Sequence, residues 1–214
     1  MYFKNKNNYT NKVKFNLKTI EKGHHKTTYK DVPMIKCPFD FFIYHMLIWK
    51  IKPDFLIEIG TNVGGSALYF SDIMDQIGKG VVHTIDIEDK VHPIVKQKKN
   101  IKFHFDGFEN YKIDSELFRD KTIMVIDDGS HTYPHVKSAL NKFKDVVSVN
   151  SYFVVEDGIL DKLSLNIDYK GGPNKAIEEF IASNSNFVID RTLCDLYGTN
   201  ATFNTNGYLK KTSK

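Results

Sequence analysis

Two stretches, Val125-Ile126-Asp127-Asp128-Gly129-Ser130-His131 and Tyr152-Phe153-Val154-Val155-Glu156-Asp157-Gly158, constrain the fold of this chain more than any other feature. Each begins as a short apolar strand and ends abruptly in acid. Continuous apolar strands are covered on both faces, the habit of parallel sheets. Open sheets of that kind take their ligands outside the carboxyl ends of the strands. Four carboxylates and a histidine therefore gather where a ligand is expected. Converging carboxylates repel one another unless a cation neutralises them, and hard oxygen donors suit Mg²⁺ or Ca²⁺. A third strand, Phe55 to Ile59, runs into the glycine turn Gly60-Thr61-Asn62-Val63-Gly64-Gly65-Ser66.

The rest of the pattern fits the same kind of sheet. Asp40 to Ile51 predicts a helix that is apolar nearly all round, hence buried, and stopped by Pro53. After the first strand, periodicity predicts helix Gly65–Ile77, strand Val81–Ile85, a helix near Val91–Lys99 and strand Ile101–Phe105. A short helix near Ile113–Phe118, strand Thr122–Ile126, helix Thr132–Val147 and strand Tyr152–Val155 follow. Helix Pro173–Asn184 and two late strands, Phe187–Asp190 and Ala201–Asn204, complete the series. With no helix expected between them, the late strands should pair antiparallel at one edge. Five parallel strands plus a terminal antiparallel pair is the outline of a class I methyltransferase sheet, an α/β, Rossmann-like, doubly wound fold. Residues 1–30 are polar and aperiodic and predict an N-terminal arm, with a single domain over 31–214.

Composition narrows the function classes. The 214 residues suffice for one core, and the apolar and charged fractions, 41% and 26%, are those of a soluble globular protein. The longest apolar run, Phe41 to Trp49, is far short of the roughly 20 residues of a membrane span. No signal-peptide pattern opens the sequence, so a cytoplasmic location is expected. Cys37 and Cys194 match no metal or redox spacing and are expected to be reduced thiols. The net charge of +4 is carried almost wholly by scattered lysines, Arg119 and Arg191 being the only arginines. Nucleic-acid binders cluster their basic residues, so no nucleic-acid partner is expected. A homo-oligomer stays open.

The glycine turn lacks the Gly-Lys-Ser/Thr of a phosphate loop and the GxGxxG of dinucleotide sites. Glu58-x-Gly60-x-x-x-Gly64-Gly65 resembles the first motif of S-adenosylmethionine enzymes. In that reading Gly60, Thr61, Gly64, Gly65 and Ser66 line the cofactor, and Glu58 addresses its cationic amino-acid end. Asp86, 26 residues after Gly60, ends the second strand and is placed to bind ribose hydroxyls. Asp106 and Gly107, after the third strand, would border the adenine, with Asp127 nearby. The same glycines also serve plain strand–helix packing. Likewise Asp127, Asp128 and Ser130 are good caps for the helix that follows, but capping leaves Glu156 and Asp157 unexplained. His131 and His135 form H-x-x-x-H, yet Pro134 intervenes and the glutamate of H-E-x-x-H is missing, which argues against zinc. His135 is expected to be structural.

Several strings together are similar to the cephalosporin hydroxylase family. They are Thr28-Tyr-Lys-Asp-Val-Pro33-Met-Ile-Lys36-Cys-Pro38-Phe-Asp40, Lys52-Pro53-Asp54 through Thr61, and Gly64 to Ala67. Further on come Asp128-x-x-His131-x-x-x-His135-Val136, Val154 to Asp157, Gly172-Pro173-x-x-Ala176-Ile177 and Gly207-Tyr208-Leu209-Lys210. The resemblance runs from about residue 28 to the end. One departure is Tyr44-His45, where the family commonly has glutamine after the tyrosine. Together with the similar macrolide-sugar O-methyltransferases, the family implies methylation of an oxygen that depends on S-adenosylmethionine and Mg²⁺ or a similar divalent cation. It implies Asp128, Glu156 and Asp157 as metal ligands, although the doubled acid leaves Asp127 a rival to Asp128, and His131 as catalytic base. The acceptor expected is a small molecule or glycan, foremost a sugar hydroxyl; a catechol or antibiotic nucleus is the alternative. A non-catalytic partner subunit of the same fold, and a cation-dependent hydrolase, are the remaining readings.

Overall fold

Alternation of side chains along the strands sorts the core of this protein, in a computed structural model that describes residues 13–213, into two layers. The central sheet has seven strands. They are β3 (Phe55–Ile59), β4 (Val81–Ile85), β5 (Ile101–His104), β6 (Ile123–Asp127), β7 (Tyr152–Val155), β8 (Phe187–Ile189) and β9 (Tyr208–Lys211). They are preceded by a two-stranded hairpin of β1 (Thr28–Tyr29) and β2 (Val32–Pro33). The order across the sheet is β5-β4-β3-β6-β7-β9-β8. The first five are parallel; β9 runs antiparallel to both β7 and β8. This is the class I methyltransferase sheet expected from the sequence.

Leu56, Val82, Met124, Ile126, Tyr152 and Val154 face one layer, packed against α2 (Pro38–Ile51) and α3 (Gly65–Ile77). Ile57, Ile85, Val125, Phe153 and Val155 face the other, against α5 (Tyr133–Phe143) and α6 (Gly172–Ser183). α5 buries Val136, Ala139, Leu140 and Phe143, one apolar stripe at helical spacing. Two short helices, α4 (Pro93–Lys96) and α7 (Arg191–Cys194), complete the set with α1 (Leu17–His24). Both cysteines are free and buried.

Four elements differ from expectation. The last strand is Tyr208–Lys211, not Ala201–Asn204: residues 201–204 form a loop tied to Asp40, which accepts hydrogen bonds from Thr202 Oγ1 and the Phe203 N–H. α7 lies between the two late strands. The helix expected near 113–118 is absent and residues 115–120 form turns, because the Asp114 carboxylate takes the N–H groups of Glu116 and Leu117. α2 buries only one face; Phe42, Met46 and Trp49 stand on the other, 40–54% exposed. The expected polar arm falls partly outside the described residues; within them, α1 is capped by Asn16 and Thr19 in a reciprocal box.

Candidate active site

The parallel strands end level with one another. Ile59 is paired with Ile85 on one side and Asp127 on the other, and Asp127 is paired with Val155. The ladder continues one residue further. The Gly60 N–H donates to Ile85 O at 2.8 Å, Asp128 N–H to Ile59 O at 2.8 Å, and Glu156 N–H to Asp127 O at 2.9 Å. Gly60, Asp86, Asp128 and Glu156 thus stand in a row at the carboxyl edge. β3 is followed in sequence by β4 on its left and flanked by β6 on its right, so this is the point where the strand order reverses.

A cleft of about 410 Å³ opens there, within the range of small-molecule sites. Gly60, Asn62, Asp86, Gly107, Asp128, His131 and Asp157 line it, with apolar walls from Ile35, Ile87 and Phe108. Both oxygens of Asp86 are engaged: one accepts the Asn62 N–H at 2.8 Å, the other the Ile87 N–H at 2.7 Å. Asp86 therefore joins the glycine turn to the end of β4 while still facing the cleft. A narrower recess beside the cleft is lined by Lys36, Gly60, Thr61, Gly64, Gly65, Ser66 and Asp128.

The period-two alternation sends the two adjacent acids to opposite faces. Asp128 and Glu156 extend the parity of Met124, Ile126, Tyr152 and Val154, so they point to the α2 and α3 side. Asp127 has the opposite parity and points to α5, where its Oδ1 meets His135 Nε2 at 3.1 Å and accepts the Gly129 N–H at 3.3 Å. Asp127 is 2% exposed and does not reach the cleft; His135, expected to be structural, lines it instead. Burial pushes the His135 pKa down, but the Asp127 carboxylate outweighs this and the net shift is upward. Gly129 carries no Cβ, and one there would overlap the His135 ring. The turn bearing Asp128 and His131 therefore rests on the Asp127–His135 pair.

Asp128, His131 and Asp157 come together, each offering one ligand atom within 4.8 Å of the others. His131 Nε2 lies 3.7 Å from Asp128 Oδ1 and 3.4 Å from Asp157 Oδ2. His131 and Asp157 hold left-handed backbone, φ +55° and +57°, which side-chain-bearing residues adopt at a cost and which clusters at functional sites. Glu156 is not in this group. Its side chain is 4% exposed, and Oε1 accepts from Lys36 Nζ at 2.6 Å and from Tyr44 Oη at 2.7 Å. Lys36 also donates to Asp128 Oδ2. Burial alone would lower the Lys36 pKa, but Asp128 and then Glu156 hold it well above the usual lysine value. Burial raises the pKa of Glu156 and of Asp128 in spite of the ammonium between them.

Glu58, expected at the cationic end of a cofactor, lies beneath the turn and lines neither cavity. Its parity aims it into the α2 and α3 layer, where Oε2 accepts from Thr84 Oγ1 at 2.6 Å and Oε1 has no partner. Burial pushes its pKa up to about 7. Asp106 does not line the cleft, whereas Gly107 does.

Residues 21–212 match the family described as Rhamnosyl O-methyltransferase/CmcI. The chain belongs to this family. A rhamnosyl O-methyltransferase of Mycobacterium tuberculosis is 30% identical over 162 residues, covering 72% of this chain and 66% of the relative, just short of two thirds of the relative's length. One from Mycobacterium leprae is 27% identical over 160 residues, covering 72% of this chain and 70% of the relative. Among solved structures, a Mg–SAM complex of CmcI superposes with a TM-score of 0.66 at 19% identity, covering 88% of this chain and 78% of CmcI. The O-methyltransferase TomG from Streptomyces achromogenes gives 0.55 at 15% identity, covering 94% and 92%. At such identities the likeness is one of fold.

Lys36 and Tyr44, which touch the acids at the ends of β6 and β7, had no role assigned from the sequence. Lys36 lies in a string quoted for the family resemblance, but nothing local says that its ammonium is buried. Glu109 and Ile87 likewise line the cleft without a motif signal.

Proposed function

We propose that the chain is an S-adenosylmethionine- and divalent-cation-dependent O-methyltransferase of a sugar hydroxyl. One observation carries the reading: a cleft at the strand-order reversal, in a chain of this family, abuts a group of two carboxylates and an imidazole. The residues fit the cofactor. Ile35, Ile87 and Phe108 offer apolar walls to a base, Gly107 leaves room where a Cβ would come within 3.2 Å of Glu109, and Asp86 faces a ribose. The recess from Gly60 to Ser66, about 30 Å³, adjoins the cleft on the side of the glycine turn.

The residues also fit a cation. Asp128 and Asp157 offer oxygen donors to Mg²⁺ or a similar ion. A bound divalent cation supplies positive charge that stabilises an acceptor oxygen as it loses its proton. His131, whose Nε2 faces the two carboxylates at 3.7 and 3.4 Å, takes that proton. The Gly60 turn, Asp86 and Gly107 would hold the cofactor, which would supply the methyl group to the acceptor oxygen and leave as the neutral thioether. The chain's part in this step is alignment and charge placement.

The mycobacterial relatives, rhamnosyl O-methyltransferases, support a rhamnose-like sugar, in a glycan or a secondary metabolite. The proposal extends to a cytoplasmic setting and to a single domain over 31–214. Among the described residues no helix is long and apolar enough to cross a membrane. The test is transfer of isotope-labelled methyl from S-adenosylmethionine to rhamnosyl glycosides, run beside catechols, with Mg²⁺ and with EDTA. Labelled sugar that vanishes with EDTA is expected. Transfer to catechols alone would replace the acceptor class, and no transfer to any acceptor would favour the non-catalytic subunit.

A further inference from the structure

The first turn of α6 carries a buried amide. Asn174 follows Gly172 and Pro173 and is 8% exposed. Its Nδ2 donates to Gly158 O at 2.6 Å and to Asp161 Oδ2 at 2.8 Å, with Thr205 Oγ1 at 3.1 Å. Its Oδ1 accepts from Asn206 Nδ2 at 3.2 Å. One side chain therefore joins α6 to the short 3₁₀ turn Gly158–Asp161 and to the loop before β9. That loop grips the same turn: the Ile159 N–H donates to Phe203 O at 2.9 Å, and the Asp157 N–H reaches Asn204 Oδ1 at 3.4 Å. A Cβ at Gly158 would overlap the Thr205 carbonyl oxygen and crowd Asn174 Oδ1 at 3.1 Å.

We propose that Asn174 is a positioning residue for Asp157, holding the peptide after Gly158 so that the Asp157 carboxylate stays within ligating reach of Asp128 and His131. The inference rests on the cation reading above. Its physical basis is the backbone. Asp157 sits at φ +57° and ψ +30°, a left-handed conformation that a side-chain-bearing residue keeps only where its surroundings over-determine it. The Gly158–Ile159 peptide is planar and is held at both ends, its oxygen by Asn174 and its N–H by Phe203 O. The hydrogen bond to the Asp157 N–H is long, so the short one from Asn174 is the stronger constraint. Without it the Gly158 carbonyl loses its buried donor, and Gly158, free of a Cβ, lets the peptide swing. Asp157 then relaxes toward ordinary backbone angles and its carboxylate leaves the group.

The test measures Mg²⁺ affinity by calorimetry, melting without metal, and S-adenosylhomocysteine affinity. It compares wild type, Asn174→Ala, Asn174→Ser and Phe180→Leu, a core change on the same helix that leaves the turn alone. Asn174→Ala should weaken Mg²⁺ binding by about tenfold or more, the usual loss for a group that orients a ligand, with unchanged S-adenosylhomocysteine affinity. Asn174→Ser should shift it in the same direction and gives the reading where the alanine variant does not fold. Phe180→Leu should melt lower yet bind Mg²⁺ like wild type; a merely structural asparagine would behave as it does. In an Asp157→Asn background, Asn174→Ala should weaken Mg²⁺ no further, because both changes act through one carboxylate. Full additivity of the two changes would overturn the proposal, and so would wild-type Mg²⁺ affinity in a folded Asn174 variant. A wild-type protein that binds no Mg²⁺ would overturn the cation reading itself, and this assignment with it.

Discussion

Gly60→Ala separates two uses of the glycine turn. Gly60 holds φ +99°, and a Cβ there would overlap the Asp128 carbonyl oxygen, with the carbonyl carbon 2.7 Å away and Gly129 N at 3.2 Å. The left-handed conformation costs an alanine about 1–2 kcal/mol. Relieving the overlap means displacing the exit of β6, an overpacking cost of about 1–3 kcal/mol. The sum, about 2–5 kcal/mol, is a large share of a typical domain stability of about 5–15 kcal/mol. Gly78→Ala is the matched control: φ is +84°, and nothing lies within 4 Å of its Cβ. It should cost only the conformational part, about 1–2 kcal/mol. Urea denaturation of the three proteins gives the two differences, with S-adenosylhomocysteine binding measured on the folded fraction. Equal destabilisation by the two variants would refute the close β3–β6 approach and return Gly60 to a purely ligand-facing role.

Other outcomes follow from the buried titrating groups and the cleft. His83, whose Nδ1 lies 2.8 Å from Tyr111 Oη, is pushed down to about 4 by burial and then by His104 and Lys102. Its folded pKa lies below the unfolded value of about 6.5, so stability is complete above that value and falls as pH drops toward 4, by about 2–3 kcal/mol. His83→Gln should flatten the melting profile across this window; an unchanged slope would clear His83 of the effect. Glu58 has the opposite sign: with its pKa raised to about 7, it contributes less stability as pH climbs from about 4.5. Glu58→Gln should therefore stabilise the protein at pH 8 by about 2 kcal/mol, read by urea denaturation. Asp86→Ala should weaken S-adenosylhomocysteine binding while sparing Mg²⁺ affinity; parallel loss of both would merge the two sites. His131→Gln should keep Mg²⁺ and cofactor affinity but lose turnover by about a hundredfold, the usual size of a general-base contribution.

The sheet was legible because its signals are local. Apolar runs such as Phe55–Ile59 and Ile123–Ile126 announce doubly covered strands, and the acids that end them mark the ligand edge. Features set by distant partners were not legible. Ala201–Asn204 reads as a strand, yet Asp40, 162 residues away, claims Thr202 and holds a loop, so that Tyr208–Lys211 joins the sheet. Ile113, Leu117 and Phe118 have helical spacing, but Asp114 favours a turn. The spacing to His131 favours Asp128 over Asp127 in the sequence, and the strand register with its alternation places the two on opposite faces. Lys36 reads as a surface lysine between Ile35 and Cys37 until the ends of β6 and β7 close on it.

In the proposed function, one cleft at the carboxyl edge holds both an S-adenosyl cofactor and a divalent cation. Crystals grown with S-adenosylhomocysteine and Mn²⁺, with anomalous data collected to locate the metal, test it most directly. A single manganese peak bonded to Asp128 and Asp157 is expected, with His131 beside it and the nucleoside between Asp86 and Phe108. A manganese peak elsewhere, or a nucleoside outside this cleft, would contradict it.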